Sequence, residues 1–290
     1  MKILITGGNG FIARSLKEAI LDEEVVCCSR QELDLLDAPS IFQYLNKHQF
    51  DVVIHAATYD AVPACSTKDP KMVLENNLRM FFNIARCKDC FGKMIYFGSG
   101  AEFNREHWKP RMNEDYFDQY VPQDPYGFSK YVMTKYALAS DNIYNLRLFG
   151  LYGKYDDWRY RFIPSTCVKA IFNRPIIINE NKLMDFLYID DLTKIVKWFL
   201  SHKPLHQVYN ICTGQGVELK RIAQDIIRMA KKELKIVIKE DKPIIEYSGN
   251  NSLLLSEIID LKFSSLKESI AELYLWYTSH RATLDILQVL

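Results

Sequence analysis

Lys2-Ile3-Leu4-Ile5-Thr6-Gly7-Gly8-Asn9-Gly10-Phe11-Ile12-Ala13 decides the fold. A short apolar run makes a strand, the glycines make a turn, and the apolar spacing from Phe11 to Leu21 makes a helix. Glycine permits a tight turn and lets backbone N–H groups approach a ligand closely. The helix that follows offers unpaired N–H donors and the positive end of its dipole. Ala13 is small enough for close helix–strand packing. Strand, glycine turn and helix in this order predict dinucleotide binding, with Gly7, Asn9, Gly10, Phe11 and Ile12 against the pyrophosphate.

Outward from that turn, short apolar runs alternate with helical patterns. Strands are expected at Val25–Cys28, Val52–Ala56, Lys93–Phe97 and Tyr144–Phe149, and helices at Ala38–Lys47, Val73–Cys87 and from about Tyr126. Continuous apolar strands separated by helices imply a parallel sheet covered on both faces, a doubly wound α/β fold. Beyond Gly153 the character changes. An aromatic and basic loop, Tyr155 to Arg161, leads to strands Ile176–Ile178 and Phe186–Ile189, helix Leu192–Leu200 and strand Val208–Ile211. Helices Leu219–Leu234 and Leu266–Tyr277 follow. The expected division is a dinucleotide-binding domain of 1–153 with a returning segment at about 185–209. Residues 154–184 and 210–290 then form a smaller, mixed α/β substrate domain.

Composition narrows the class. At 290 residues, 48% hydrophobic and 25% charged, the chain has the makeup of an ordinary globular protein. Thirty-seven basic against 36 acidic residues leave a charge of +1, no electrostatic footprint for nucleic acid or an anionic membrane. No apolar run reaches the ~18 residues of a membrane helix. Seven cysteines do not read as a secreted disulfide framework, and the first residues lack a signal-peptide pattern, so a cytoplasmic protein is expected. Cys87 and Cys90 have no second pair at zinc spacing, and no metal is expected.

The second strand bears on the dinucleotide. It ends Cys27-Cys28-Ser29-Arg30, with no acid before Glu32. A hydroxyl and a guanidinium suit the 2′-phosphate of NADP(H), where an NAD site would place an acid on the ribose. The competing reading of Arg30 is a solvated loop residue.

Two Tyr-x-x-x-Lys pairs occur, Tyr126/Lys130 and Tyr131/Lys135. Five residues along a helix turn the second pair ~140° from the first, so only one faces a cofactor. Tyr126, in the first turn after Asp124-Pro125, is at the mouth of the site. A lysine one turn away lowers a tyrosine pKa toward neutrality and fits the phenol for proton transfer. Ser99, after the strand ending at Phe97, is placed to hold a substrate oxygen.

These residues resemble the extended short-chain dehydrogenase/reductases, the nucleotide-sugar epimerases, dehydratases and ketoreductases. The likeness runs through Thr6-Gly7-Gly8-Asn9-Gly10, Phe97-Gly98-Ser99-Gly100-Ala101-Glu102-Phe103 and Tyr126-Gly127-Phe128-Ser129-Lys130. It continues in Asp185-Phe186-Leu187-Tyr188-Ile189-Asp190-Asp191, Val208-Tyr209-Asn210-Ile211 and Trp276-Tyr277. The resemblance implies that His55, Ala56 and Ala57 lie beside the nicotinamide and that Asn77 and Asn83 are the family's paired asparagines. Ser29 to Asp37, including Asp34 and Leu35, is similar to the GDP-fucose synthase-like branch, which uses NADPH. Homodimers paired through two helices are common in the family, and Val73–Cys87 with the helix after Tyr126 would supply them.

Departures from the family narrow the chemistry. Gly100-Ala101 stand where 4,6-dehydratases carry Asp-Glu, and neither transfers a proton. The epimerising cysteine and histidine of the GDP-fucose synthase branch correspond to Ala101 and a position near Arg161. Reduction or oxidation at one carbon remains. The expectation is an NADPH-dependent reductase of the C4 ketone of a nucleotide-linked 4-keto-6-deoxy sugar, with Ser99, Tyr126 and Lys130 catalytic. The alternatives are an NAD-retaining 4-epimerase and a non-catalytic NADP-binding regulator. Met184 replaces the arginine that many relatives use for the diphosphate. Arg159, Arg161 and Lys182 are the candidates for that charge, and Glu102 is a candidate acid near Ser99.

Overall fold

The computed structural model describes residues 1–61 and 66–288. In chain order the first lobe runs β1 (Lys2–Thr6), α1 (Phe11–Ala19), β2 (Glu24–Cys28), α2 (Ala38–His48), β3 (Phe50–His55) and α3 (Val73–Ala85). Then come β4 (Phe91–Ser99), α4 (Pro125–Leu138), β5 (Ile143–Leu148), β6 (Gly150–Tyr152) and α5 (Phe162–Ile171). The rest is β7 (Ile176–Glu180), β8 (Leu183–Tyr188), α6 (Ile189–Ser201), β9 (Val208–Ile211), β10 (Gly216–Glu218), α7 (Leu219–Met229), β11 (Ile236–Glu240), β12 (Glu246–Tyr247), α8 (Ser252–Glu257) and α9 (Leu266–Ser279).

Six strands form one parallel sheet in the order β2-β1-β3-β4-β5-β9. Alternate residues of a strand face opposite ways, and β1 shows both outcomes. Ile3 and Ile5 pack with α1, α5 and α6 on one face, while Leu4 packs with α2, α3 and α4 on the other. Burial on both faces is why these strands are unbroken apolar runs, and the doubly wound sheet is the fold expected from them. No helix among the described residues is long and apolar enough to cross a membrane.

The second lobe is built from shorter pieces. β8 pairs with β6, β10 and β12, and β7 pairs in parallel with β11. Helix α5 lies in the stretch where no element is expected. All its residues from Ile163 to Ile171 are buried, Ser165, Thr166 and Lys169 included, so it has no polar stripe to mark its period. Helix α3 stops at Ala85, which leaves Cys87 and Cys90 in the turn beyond it, and the Cys87 thiol donates to the Asn83 carbonyl at 3.4 Å.

Asp185 fastens the second lobe to the end of the sheet. Its fully buried carboxylate accepts from Thr213 N (2.9 Å), Thr213 Oγ1 (2.6 Å) and Gly214 N (2.8 Å), just beyond β9. Asp185→Ala strands those donors in a dry site and is expected to cost about 2–4 kcal/mol. A urea midpoint within error of the unchanged protein would contradict that role.

Candidate active site

The C-terminal ends of β1, β3 and β4 converge on the glycine turn. Gly7 has φ +72°, and a Cβ built on it would lie 2.8 Å from Ala57 Cα, so neither its conformation nor its space admits a side chain. Gly8 N donates to Cys28 O at 2.8 Å, which ties the turn to β2. Helix α1 begins at Gly10 with no capping side chain and no acid in its first turn. Its positive end is therefore open to an anion. Asn9 is exposed at the lip, with Phe11 and Ile12 opening the helix behind it. This cradle fits the pyrophosphate of a dinucleotide.

Thr6 Oγ1 is hydrogen-bonded to His55 Nδ1 (3.0 Å) and accepts from Ala57 N (3.3 Å), fixing the β3 end beside the turn. Burial pushes the His55 ring down to about 3, with the Lys130 charge acting in the same direction, so the imidazole is neutral. Asn77, one of the paired asparagines, is buried and bonded to the chain just beyond β3. It accepts from Tyr59 N (2.8 Å) and Thr58 Oγ1 (3.3 Å) and donates to Tyr59 O (3.0 Å), holding the chain that follows Ala56 and Ala57. Asn83 similarly donates to Leu35 O at 3.0 Å.

The β2 end differs from its expected chemistry. Ser29 N donates to Glu32 Oε2 at 2.7 Å, and bonds from Ser29 hold the Glu32 carboxyl below its usual range. Arg30 is 72% exposed and 3.9 Å from Asp34, whose carboxylate also accepts from Leu36 N. Leu35 is buried in the core among residues of α2 and α3. A carboxylate and a guanidinium both stand at the end of β2, and Glu32 folds back onto Ser29 as a short-range turn partner.

Helix α4 starts where the start signals place it: Asp124 caps it through Gly127 N (2.9 Å), and Pro125 opens it. A Cβ on Gly127 would meet Ala101 O at 2.6 Å, so the helix packs tightly on the turn that carries Ser99. Ser99 and Tyr126 are brought to the same turn, and the Ser99 hydroxyl bears on the Tyr126 phenol. Burial raises the Tyr126 phenol, while the charge of Arg161 and the Ser99 hydroxyl pull it down; the net direction is up, opposite to the lowering expected from Lys130, because burial outweighs the neighbouring charges. Lys130 Nζ donates to Phe97 O at 2.8 Å and lies 5.8 Å from the Tyr126 ring centroid. Burial lowers its amine to about 8 against the raising influence of Glu102 and Asp60. The other pair faces away: Tyr131 and Lys135 both bond to the exposed Asp118.

Glu102 is not a cleft acid. It is fully buried, accepting from Ser99 N (2.9 Å), from Arg147 Nε (2.7 Å) and from Asn145 Nδ2 at 3.2 Å on each oxygen. The candidate cations separate. Arg159 grips Asp157 and lines a cavity of about 590 Å³ with Arg14, Trp276 and Tyr277. Arg161 lies 3.4 Å from Asp60 and 3.9 Å from Asp156, within electrostatic reach of Tyr126. Lys182 pairs with Glu180 at 2.6 Å and lines a cavity of about 810 Å³ with Tyr160, Phe162, Lys169 and Ile178. Sequence reasoning missed Tyr247, which arrives beside Ser99 from the two-residue strand β12 and had no motif to mark it.

The glycine turn, Ser99, Tyr126 and Lys130 are thus all carried by one doubly wound α/β sheet and the elements at its strand ends. The sequence model described as the NAD dependent epimerase/dehydratase family matches residues 3–212, and the chain belongs to that family. It is 27% identical to the dTDP-4-dehydro-6-deoxyglucose reductase of Escherichia coli, over 93% of this chain and 91% of that one. In fold it is similar to a GDP-L-fucose synthetase from Naegleria fowleri bound to NADP, with TM-score 0.82 and 18% identity over 97% and 95% of the two chains. It is also similar to the Thermus thermophilus UDP-glucose 4-epimerase in complex with NAD, with TM-score 0.80 and 20% identity over 94% and 98%.

The buried imidazole makes stability depend on pH. Below its ordinary value of 6.5 the unfolded chain takes a proton that folded His55 refuses, so stability falls as pH drops toward the folded value of about 3. This accounts for about 1 kcal/mol between pH ~7.5 and ~5.5. Asp156, raised to about 7 by burial, acts in the opposite direction, so the comparison is with His55→Asn, which leaves Asp156 in place. Urea unfolding across that range should show a shallower acid loss in the variant; parallel curves would contradict the assignment.

Proposed function

We propose that the protein reduces the C4 ketone of a nucleotide-linked 4-keto-6-deoxy sugar with NADPH. The observation that carries this reading is the grouping of Ser99, Tyr126 and Lys130 around the C-terminal end of β4, where a Cβ on Gly127 would meet Ala101 O at 2.6 Å and Lys130 Nζ donates to Phe97 O at 2.8 Å. In this reading residues 1–153 and the returning segment hold the cofactor, through Gly7, Asn9, Gly10, Phe11 and Ile12 at the pyrophosphate and Ser29 and Arg30 at the 2′-phosphate. The remaining residues receive the sugar nucleotide. When bound, NADPH supplies a hydride to the carbonyl carbon. Ser99 holds the carbonyl oxygen, and Tyr126, whose raised pKa keeps it protonated in the free protein, gives that oxygen its proton. Lys130, whose buried amine titrates near 8, holds a positive charge that stabilises the phenolate left when Tyr126 gives up its proton. Gly100 and Ala101 carry no group able to move a proton at a neighbouring carbon, which supports chemistry at one centre.

The cavity of about 810 Å³ is large enough for a nucleotide; Tyr160 and Phe162 offer faces for a base, and Lys169, Lys182 and Lys239 line it together with Glu180 and Glu240. Arg161 stands between that lobe and Tyr126.

One observation favours a second reading, an NAD-retaining 4-epimerase. Glu32 on Ser29 presents a carboxylate where a ribose diol would be bound and a 2′-phosphate repelled. Loss of NADPH absorbance on mixing the protein with GDP-, dTDP-, UDP- and CDP-linked 4-keto-6-deoxy sugars separates the two. The reductase reading expects consumption with one of them and a fall of about 10²–10⁴-fold in kcat for Tyr126→Phe. No consumption, together with NAD released from the denatured protein, would replace it with the epimerase. Full turnover by Tyr126→Phe would remove the catalytic assignment itself.

A further inference from the structure

Tyr247 reaches the site from the opposite lobe. It pairs in parallel register with Met184 of β8 and is buried against Trp108 and Phe149, with ring centroids 4.1 and 5.1 Å away. Its hydroxyl oxygen stands against Gly100, where a Cβ would lie 2.2 Å from it and 2.8 Å from the ring carbon that bears it. The phenol thus occupies the space that a side chain at position 100 would take. From there it stands beside the residue next to Ser99, and the Ser99 hydroxyl is among the groups that bear on the phenols of both Tyr247 and Tyr126.

A serine hydroxyl has one proton to give and two lone pairs to fill. Ala101 N donates to Ser99 Oγ at 3.2 Å and takes up one lone pair. We propose that Tyr247 is a positioning residue that donates to the other, so the single Ser99 proton is aimed at the Tyr126 oxygen or at the substrate oxygen beside it. Burial raises the Tyr247 phenol, which keeps it protonated and therefore a donor throughout the working pH range. Trp108 and Phe149 need only its ring; the hydroxyl is left with the polar task. The same contact couples the lobes, because a shift of β12 relative to β4 withdraws the donor from Ser99.

This inference rests on the catalytic reading of Ser99 and Tyr126, but not on whether they serve reduction or epimerisation. Tyr247→Phe keeps the ring and removes the donor. With Ser99 free to rotate, its bond to the phenolate form of Tyr126 weakens, and the Tyr126 titration moves up. The expected result is a kcat lower by about 10- to 100-fold, the range seen when a group orienting a functional ligand is lost, with little change in KM. The limb of the kcat–pH profile that belongs to Tyr126 moves to higher pH, by about half a unit or more. A purely structural tyrosine would lower the melting temperature and leave that limb in place. A kcat within about twofold of the unchanged protein and an unmoved limb would overturn the proposal. Where the unchanged protein turns over neither class of sugar, the functional reading fails by itself. Tyr247 is then judged without substrate, by NMR titration of ring-labelled tyrosine: Tyr126 titrates higher in Tyr247→Phe if the proposal holds, and identically if it does not.

Discussion

The carboxylate of Glu102 and the guanidinium of Arg147 meet at 2.7 Å with no solvent exposure on either side chain, and the site is assembled around that pair. Burying two charges costs several kcal/mol per ion, offset only by close geometry and full hydrogen bonding. Glu102 meets that demand by accepting from Asn145 and from the backbone of Ser99. Arg147 donates to Asn210 at 3.0 Å and lies over the rings of Phe103 and Phe117, at 4.6 and 5.1 Å. Its remaining nitrogen, Nη2, is buried without a hydrogen-bond partner among the described residues. Neighbouring chain adapts to the pair: a Cβ on Gly98 would fall 2.1 Å from the Asn145 oxygen and 2.2 Å from Glu102.

What the pair secures is the direction of a short turn. β4, β5 and β9 end side by side, and Glu102, Arg147 and Asn210 link those ends across the sheet. Asn210 also donates to Met112 O (2.9 Å) and Asn250 O (3.2 Å), which carries the network to the second lobe. The Ser99 amide is held from below by Glu102, and its hydroxyl is approached from above by Tyr126 and Tyr247. Precise placement of a hydroxyl in a site shared by two lobes is what a buried ion pair can supply and an apolar filling of equal volume cannot.

The sequence made the sheet legible because parallel strands buried on both faces are written as continuous apolar runs. The glycine turn was legible because a positive φ and a backbone approach of 2.8 Å admit only glycine. Tyr126 could be chosen over Tyr131 because Asp124-Pro125 locates the helix start. Helix α5 was not legible, since an element buried on every side has no period of polarity. Glu102 resembled a loop acid because its partner lies 45 residues away. The available signal was Arg147 itself, a charge set inside the apolar run Leu146-Arg147-Leu148, which requires a buried counter-ion. Glu32 stands three residues after Ser29, the spacing at which a carboxylate returns to a free N–H, and that return is not marked by any residue type within β2.

The central claim is that the Glu102–Arg147 pair is a coupled unit holding the Ser99 turn. A double-mutant cycle on Glu102→Gln and Arg147→Met, read by urea unfolding, measures that coupling. Each single change should cost about 3–5 kcal/mol because it leaves the other polar group buried and uncompensated, and the double variant should cost far less than their sum, with a coupling of about 2 kcal/mol or more. Losses that add to within about 0.5 kcal/mol would contradict the account.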